Sequence, residues 1–405
     1  MTLTEAAPSH TVVYRRHLRY RDMTPSFEET LRSHKDPIFE VNLCDYWDCL
    51  DAMLLETCRA ELQDIAPPLR RLSIFVTERC NLKCSYCIQK AESRRSIDTG
   101  WLAENIAEAR SMGAVILDIM GRGEPTMLDG LPDIAGVAAE NGLVVTIGTN
   151  GCTDNLSLPR FRERLFEAGH LKLRVSLDSA DEAGQDRAGG RIGAWRRTVD
   201  FITSVLSYRE TGAVKAGVFI NKIVSAGNVE QVMRDLRWIA GLGVDDIHMM
   251  PVRFHEDQYL SETEIHRYNA ETAPAIMELA EHFRYPWLRE NAFIFGTSEE
   301  ETALAAKGQY YRPSIEAGEC HVQKSQLLLD PHHQIWTCLW SRRNGGRPID
   351  AGRWNTLREA RREAMKCSYM KVAPEICRNH CTKWIIEANN RAALAISREK
   401  RSVRL

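Results

Sequence analysis

From residue 72 to about residue 283, short β-branched and apolar runs alternate with longer amphipathic stretches. Alternation of that kind marks βα units building a parallel sheet. Six strands are expected, at 72–78, 114–121, 143–151, 171–178, 214–224 and 245–252. Between the last two, Val229, Val232, Leu236, Ile239 and Ala240 share one helical face, Asn228 and Gln231 resemble a capping box, and Gly243 closes the stretch. The expected fold class is α/β, a partial (β/α)6 barrel, open because six units are too few for an eight-unit ring. Reactive groups should gather where the strands end.

Outside residues 71–285 the pattern changes. Residues 1–70 read as an accessory region, helical around 45–62 and punctuated by Pro67 and Pro68. Residues 286–312 read as a linker, 313–388 as a small domain of short strands, glycine and cysteine, and 389–405 as a solvated basic tail. With 53 basic and 55 acidic residues in 405, charge gives no case for a nucleic-acid partner or an anionic membrane. The N-terminus has neither the charged nor the apolar region of an export signal, and no stretch is long enough to cross a bilayer. A cytoplasmic location and a small-molecule partner are expected.

Cysteine changes the picture. Twelve of them in a chain without an export signal suit metal ligation better than disulfides, and they cluster. Cys80, Cys84 and Cys87 stand in the loop after the first strand, spaced to wrap one corner of an iron–sulfur cubane. Such clusters take four cysteines as a rule, so three leave one iron for an external ligand. The competing readings are a zinc knuckle or buried thiols.

This CxxxCxxC, with Tyr86 just before its last cysteine, resembles the radical S-adenosylmethionine superfamily, and the resemblance runs to about residue 255. It implies a [4Fe–4S] cluster on Cys80, Cys84 and Cys87, with S-adenosylmethionine on the open iron. Gly121, Gly123, Glu124 and Pro125, at the end of the second strand, resemble the family's GGEP motif, which receives the methionine ammonium; Arg122 stands at one usual glycine. Asn150 lies in a TNG segment, and Ser176 and Asp178 in an SLD segment, where the family lines the cofactor. Where the family carries His-Asp and then Arg-Gly, this chain has Gln185-Asp186 and Gly189-Gly190, so Arg187 or Arg191 stands in as the cofactor-binding arginine. Asn221 and Met250 fall where the family closes around adenine. The resemblance also implies a flavodoxin- or ferredoxin-type electron donor.

Cys320 and Cys338 bracket an expected hairpin with a PHHQ turn, and Cys377 and Cys381 follow. The segment resembles the twitch and SPASM auxiliary domains, a single-cluster twitch fitting better because a full SPASM domain needs seven cysteines here. The implied second [4Fe–4S] cluster takes Cys320, Cys338, Cys377 and Cys381, with Cys367 competing as fourth ligand and zinc as the alternative metal. His321, His332, His333 and His380 read as polar loop residues, and Cys44, Cys49 and Cys58 as packing residues. By family analogy the substrate is a carbohydrate or aminocyclitol, dehydrogenated or epimerised, with Cys152 or Cys367 as hydrogen donor in an epimerase. The alternative is a peptide-modifying enzyme.

Overall fold

The computed structural model describes residues 50–63, 65–87, 93–168, 171–212, 216–309, 320–338, 349–350, 354, 356–366, 389–390 and 392–394. Six parallel strands carry the fold: β1 (Arg71–Phe75), β2 (Ile116–Met120), β3 (Val144–Thr149), β4 (Leu171–Ser176), β5 (Ala216–Val224) and β6 (Asp246–Pro251). Each matches an expected strand within a few residues. The helices between them are α1 (Leu50–Leu62), before β1, then α2 (Thr99–Ser111), α3 (Leu131–Glu140), α4 (Pro159–Phe166), α5 (Glu182–Gly189), α6 (Ala194–Glu210) and α7 (Val232–Ala240). Alternate strand residues such as Leu72, Ile119, Ile147, Leu173 and Ile220 form one apolar core with Ile106, Phe201 and Leu236 of the helices. Period-two alternation on the strands thus meets the apolar stripe of each helix.

The expected face of α7 is buried as drawn, but its start differs. Asn228 forms no cap; its side chain accepts from Ser225 N at 2.9 Å and donates to Ile223 O at 2.8 Å, and a 3-10 turn over Val229–Gln231 opens the helix instead. The bend after β5 competes for the same amide and wins it.

Residues 286–312, read as a linker, begin with two short helices, Pro286–Glu290 and Glu299–Ala305, and bury Trp287, Leu288 and Phe295. The Asp246 carboxylate of β6 accepts from Trp287 N at 2.8 Å and Leu288 N at 3.2 Å, fixing the first helix to the barrel. Helices of one or two turns leave too short a period to read.

The C-terminal hairpin continues the sheet. β7 (Gln326–Leu329) pairs parallel with β1 on the side away from β2, β8 (Gln334–Trp336) returns antiparallel, and β9 (Ile349–Asp350) pairs with β8, giving the order β6-β5-β4-β3-β2-β1-β7-β8-β9. Six parallel strands flanked by helices and extended by an antiparallel hairpin make a mixed α/β fold. Among the described residues no helix is long and apolar enough to cross a membrane.

The face of the sheet away from the helices carries charge. Asp118 of β2 is bound by Arg71 of β1 and Arg174 of β4, all three buried. Arg174 pairs in register with Gly148 of β3, whose missing side chain leaves it a path across that strand. Asp118→Ala should leave two guanidinium groups without their carboxylate and cost about 3–5 kcal/mol, the penalty for breaking a buried pair. Chemical denaturation against the parent chain measures it, and a change below 1 kcal/mol, the scale of an exposed pair, would show that the triad is not structural.

Candidate active site

All six parallel strands end at one edge, and the loop after β1 is fastened there at several points. Gly123 N donates to Thr77 O at 3.1 Å and Glu124 N to Arg79 O at 2.7 Å, joining the loop after β2 to the start of the cysteine loop. Lys83 N and Ser85 N donate to Gly189 O and Ala188 O, at 2.9 and 3.2 Å, joining it to the end of α5. Asn81 donates to Cys152 O at 3.2 Å and accepts from the Asn150 amide at 2.8 Å. The Tyr86 hydroxyl donates to Asp178.

Glycine permits these approaches. A Cβ on Gly123 would lie 2.1 Å from Arg79 O, and one on Gly121 would lie 1.8 Å from Gly123 O. Gly190, at φ 64°, would bring a Cβ to 3.1 Å from Lys83 O. The Gly189-Gly190 pair, which stands where the family pattern has Arg-Gly, therefore lets α5 rest on the cysteine loop.

Cys80 is exposed and Cys84 and Cys87 are half-buried. Loss of water around the sulfurs, partial even at the exposed Cys80, pushes the Cys80 thiol up to about 11 and Cys84 to about 12, and nearby carboxylates (Glu124 for Cys80, Asp178 for Cys84) and the neighbouring thiols add to the rise. Thiols raised in this way, Cys80 and Cys84, give up their protons most readily to a cation that supplies the missing positive charge. The donor set therefore suits a cluster of iron ions.

Glu124 is buried, which raises its pKa above the usual carboxylate range against four hydrogen bonds. Oε1 accepts from Thr126 N at 3.0 Å, Thr126 Oγ1 at 2.6 Å and Thr149 Oγ1 at 2.6 Å; Oε2 accepts from Asn150 N at 2.7 Å. Only Oε2 keeps an accepting position for a ligand. Pro125 opens a buried 3-10 turn, Pro125–Met127. Asp178 is committed as well, to Tyr86 and to Ile223 N at 2.6 Å, and burial raises its pKa despite the Lys222 charge. Burial and the Asp178 charge push the Tyr86 phenol well up. Ser176 and Met250, at the ends of β4 and β6, and Asn221, within β5 and in register with Ser176, remain partly accessible. Arg187 is exposed on α5, while Arg191 is half-buried and 3.8 Å from Asp154.

Cys152 is buried, its sulfur 3.4 Å from the Asn81 amide and 3.3 Å from Asn150 Oδ1, and burial pushes its thiol up to about 11. Cys367, Cys377 and Cys381 lie outside the described residues. Cys320 precedes β7 and Cys338 follows β8; because β7 runs parallel to β1, both lie toward the edge where β1 begins. About 13 Å of strand separates that edge from the cysteine loop. The hairpin turn is what reaches the loop, with His332 Nε2 3.4 Å from Glu78 and His333 stacked on Trp101 at 4.4 Å.

Several contributors escaped the sequence reading. Glu78 is buried and binds Arg122 Nη1 at 3.1 Å, Ser93 and His332; burial works to raise its pKa, but the Ser93 hydroxyl, the Arg122 guanidinium and the His332 contact outweigh it and hold the carboxyl below the usual range. Arg122, at a position where the family has glycine, was the available signal. Gln185 accepts from Asp178 N at 2.8 Å, and Asp186 accepts from Gly193 N at 2.5 Å and Trp195 N at 2.9 Å, capping α6. Asn81 carried no signal beyond its place between two cysteines.

Residues 74–263 match the Radical SAM superfamily, and the chain carries a radical SAM domain. Over 189 residues it is 26% identical to the PqqA peptide cyclase of Methylobacterium nodulans, covering 46% of this chain and 47% of that one. Over 227 residues it is 30% identical to the AdoMet-dependent heme synthase of Methanosarcina barkeri, covering 55% and 59%. The chain thus spans about half the length of the curated relatives it matches. In solved structures the fold recurs in Streptococcus suis SuiB, with TM-score 0.54 at 15% identity over 81% of this chain and 75% of that one. It recurs in anSMEcpe with bound AdoMet, with TM-score 0.53 at 12% identity over 82% and 98%. A [4Fe–4S] cluster and S-adenosylmethionine are the cofactors this family implies.

Gly123→Ala should displace the cysteine loop, because its new Cβ meets backbone that cannot swing aside. Iron retained on the loop and affinity for S-adenosylmethionine should both fall at least tenfold, the lower end of what losing a supporting contact costs a metal site. Gly136→Ala, where the space is open, is the control.

Proposed function

We propose that this chain is a radical S-adenosylmethionine enzyme acting on a peptide, with Cys80, Cys84 and Cys87 as the ligands of its cofactor cluster. The observation that carries the first half is the fastening of the three-cysteine loop to the ends of β2, β3 and β4 through Gly123, Asn150 and Asp178. When bound, the cluster supplies the electron that splits S-adenosylmethionine and so begins hydrogen abstraction. The chain's own residues orient the parts. Gly121 and Gly123 let the loop after β2 close on itself and on Arg79, and Glu124 Oε2 keeps one accepting position for the methionine ammonium. Ser176, Asn221 and Met250 would line the nucleoside portion, and Arg187 or Arg191 would supply the cofactor-binding arginine. Asp178 acts through Tyr86, holding the last turn of the cysteine loop.

The names of the relatives support the peptide half. PqqA peptide cyclase acts on a peptide by its name, SuiB has been seen bound to precursor peptide SuiA, and anSMEcpe with a Kp18Cys peptide. The order of the two substrate readings therefore reverses, with the carbohydrate or aminocyclitol second. Neither epimerisation nor dehydrogenation draws support from these relatives, and Cys152 as hydrogen donor belongs to that second reading. The twitch-like second cluster, on Cys320, Cys338, Cys377 and Cys381, and an electron donor of flavodoxin or ferredoxin type remain part of the proposal.

Protein reconstituted without oxygen should hold about eight irons, and replacing Cys80, Cys84 and Cys87 together by Ala should leave about four and abolish 5′-deoxyadenosine formation. Persistent cleavage of S-adenosylmethionine by that variant overturns the ligand assignment. A precursor peptide encoded beside the gene should stimulate cleavage in the parent chain, whereas stimulation by sugars or aminocyclitols and not by the peptide restores the other reading.

A further inference from the structure

At the edge of the sheet away from the cysteine loop, helix α1 meets the turn that leads into β7. There Cys58, Glu61 and His321 bring one sulfur, one oxygen and one nitrogen together, all within 4.8 Å of one another. His321 Nδ1 already lies 2.8 Å from Glu61 Oε2. Lys324 binds the other carboxylate oxygen, Oε1, and His321 N donates to Asn389 Oδ1 at 2.8 Å. We propose that these three side chains form a binding site for a single zinc ion, apart from the cysteine loop and beside Cys320, with no thiol shared with either cluster proposed above.

The donor chemistry favours zinc. Thiolate, imidazole and carboxylate are the three ligand types zinc takes, and ligands on one tetrahedral ion sit about 3.5 Å apart, so closing the site moves atoms by about an ångström. Cys58 is buried, while His321 and Glu61 are 12% and 25% exposed, which leaves an entry path. On binding, the Cys58 thiol gives its proton to solvent, so that thiolate and carboxylate set two negative charges against the dication while the Lys324 ammonium stays on the outer carboxylate oxygen. Burial works to raise the Glu61 pKa, but His321 and Lys324 outweigh it, so the carboxylate is already ionised. Lys324 holds that carboxylate from outside, as outer partners of metal ligands do. Iron–sulfur clusters favour all-thiolate sets, and a set with one sulfur in three fits them poorly. The ion would tie α1 to the segment before β7, residues more than 250 positions apart.

The test uses the full chain with its clusters reconstituted, dialysed against zinc and analysed for both metals. The parent should retain about one zinc, while Cys58→Ala and His321→Ala should lose it with iron unchanged. Lys324→Met, which keeps all three ligands and guards against a folding artefact, should weaken zinc binding by about ten-fold to a hundred-fold. Cobalt in place of zinc should give near-ultraviolet thiolate absorption in the parent and none in Cys58→Ala. A parent chain without zinc, variants that keep it, or variants that lose iron instead each overturn the proposal, the last by making Cys58 a cluster ligand.

Discussion

Two stretches of backbone meet at Gly123 and Arg79 so closely that no side chain fits between them. The rest of the site depends on that approach. It sets the loop after β2 against the start of the cysteine loop, and the Gly123 and Glu124 amides complete the contact by donating to Thr77 and Arg79. Because β1 and β2 are neighbours in register, the approach costs the sheet nothing; it needs only the absence of Cβ atoms. From there Asn81 passes the constraint to Asn150 and Cys152 at the end of β3, and Tyr86 passes it to Asp178 beyond β4.

Buried carboxylates do much of the remaining positioning. Glu124 ties the loops after β2 and β3, Asp178 ties β4 to β5 and to the cysteine loop, and Asp246 ties β6 to the helix that follows. Each takes donors from backbone amides, which is how a buried anion is kept without a large penalty. Residues that a motif would assign to the cofactor thus also hold the protein together. A ligand at this edge meets groups whose hydrogen bonds are already largely committed, and so rigid ones.

The hairpin of β7 and β8 gives the site its far wall. Leu328 and Trp336 pack with Phe75 and Met120 on the sheet face away from the helices, and Asp330 fixes the turn by accepting from His332 N, Gln334 N and Trp336 Nε1. Strand polarity then separates two regions. Turn residues reach the cysteine loop, whereas Cys320 and Cys338 lie toward the other edge of the sheet, together with Cys58 and His321. An auxiliary cluster there would stand a strand's length from the cysteine loop.

The sequence by itself determined the six strands, the order of the βα units and the three-cysteine loop, because each rests on local periodicity or on spacing within one turn of chain. Leu72, Leu117, Val145 and Leu171 show it: strand content and burial are written in neighbouring residues. Tertiary structure decided what depends on residues far apart. Parallel pairing of β7 with β1 joins positions some 255 apart, the Asn228 amide goes to a bend rather than a cap, and Glu78 gathers Arg122 and His332 from two other segments. Such contacts leave no periodic trace, since a hydrogen bond across the fold constrains one residue at each end and nothing between them.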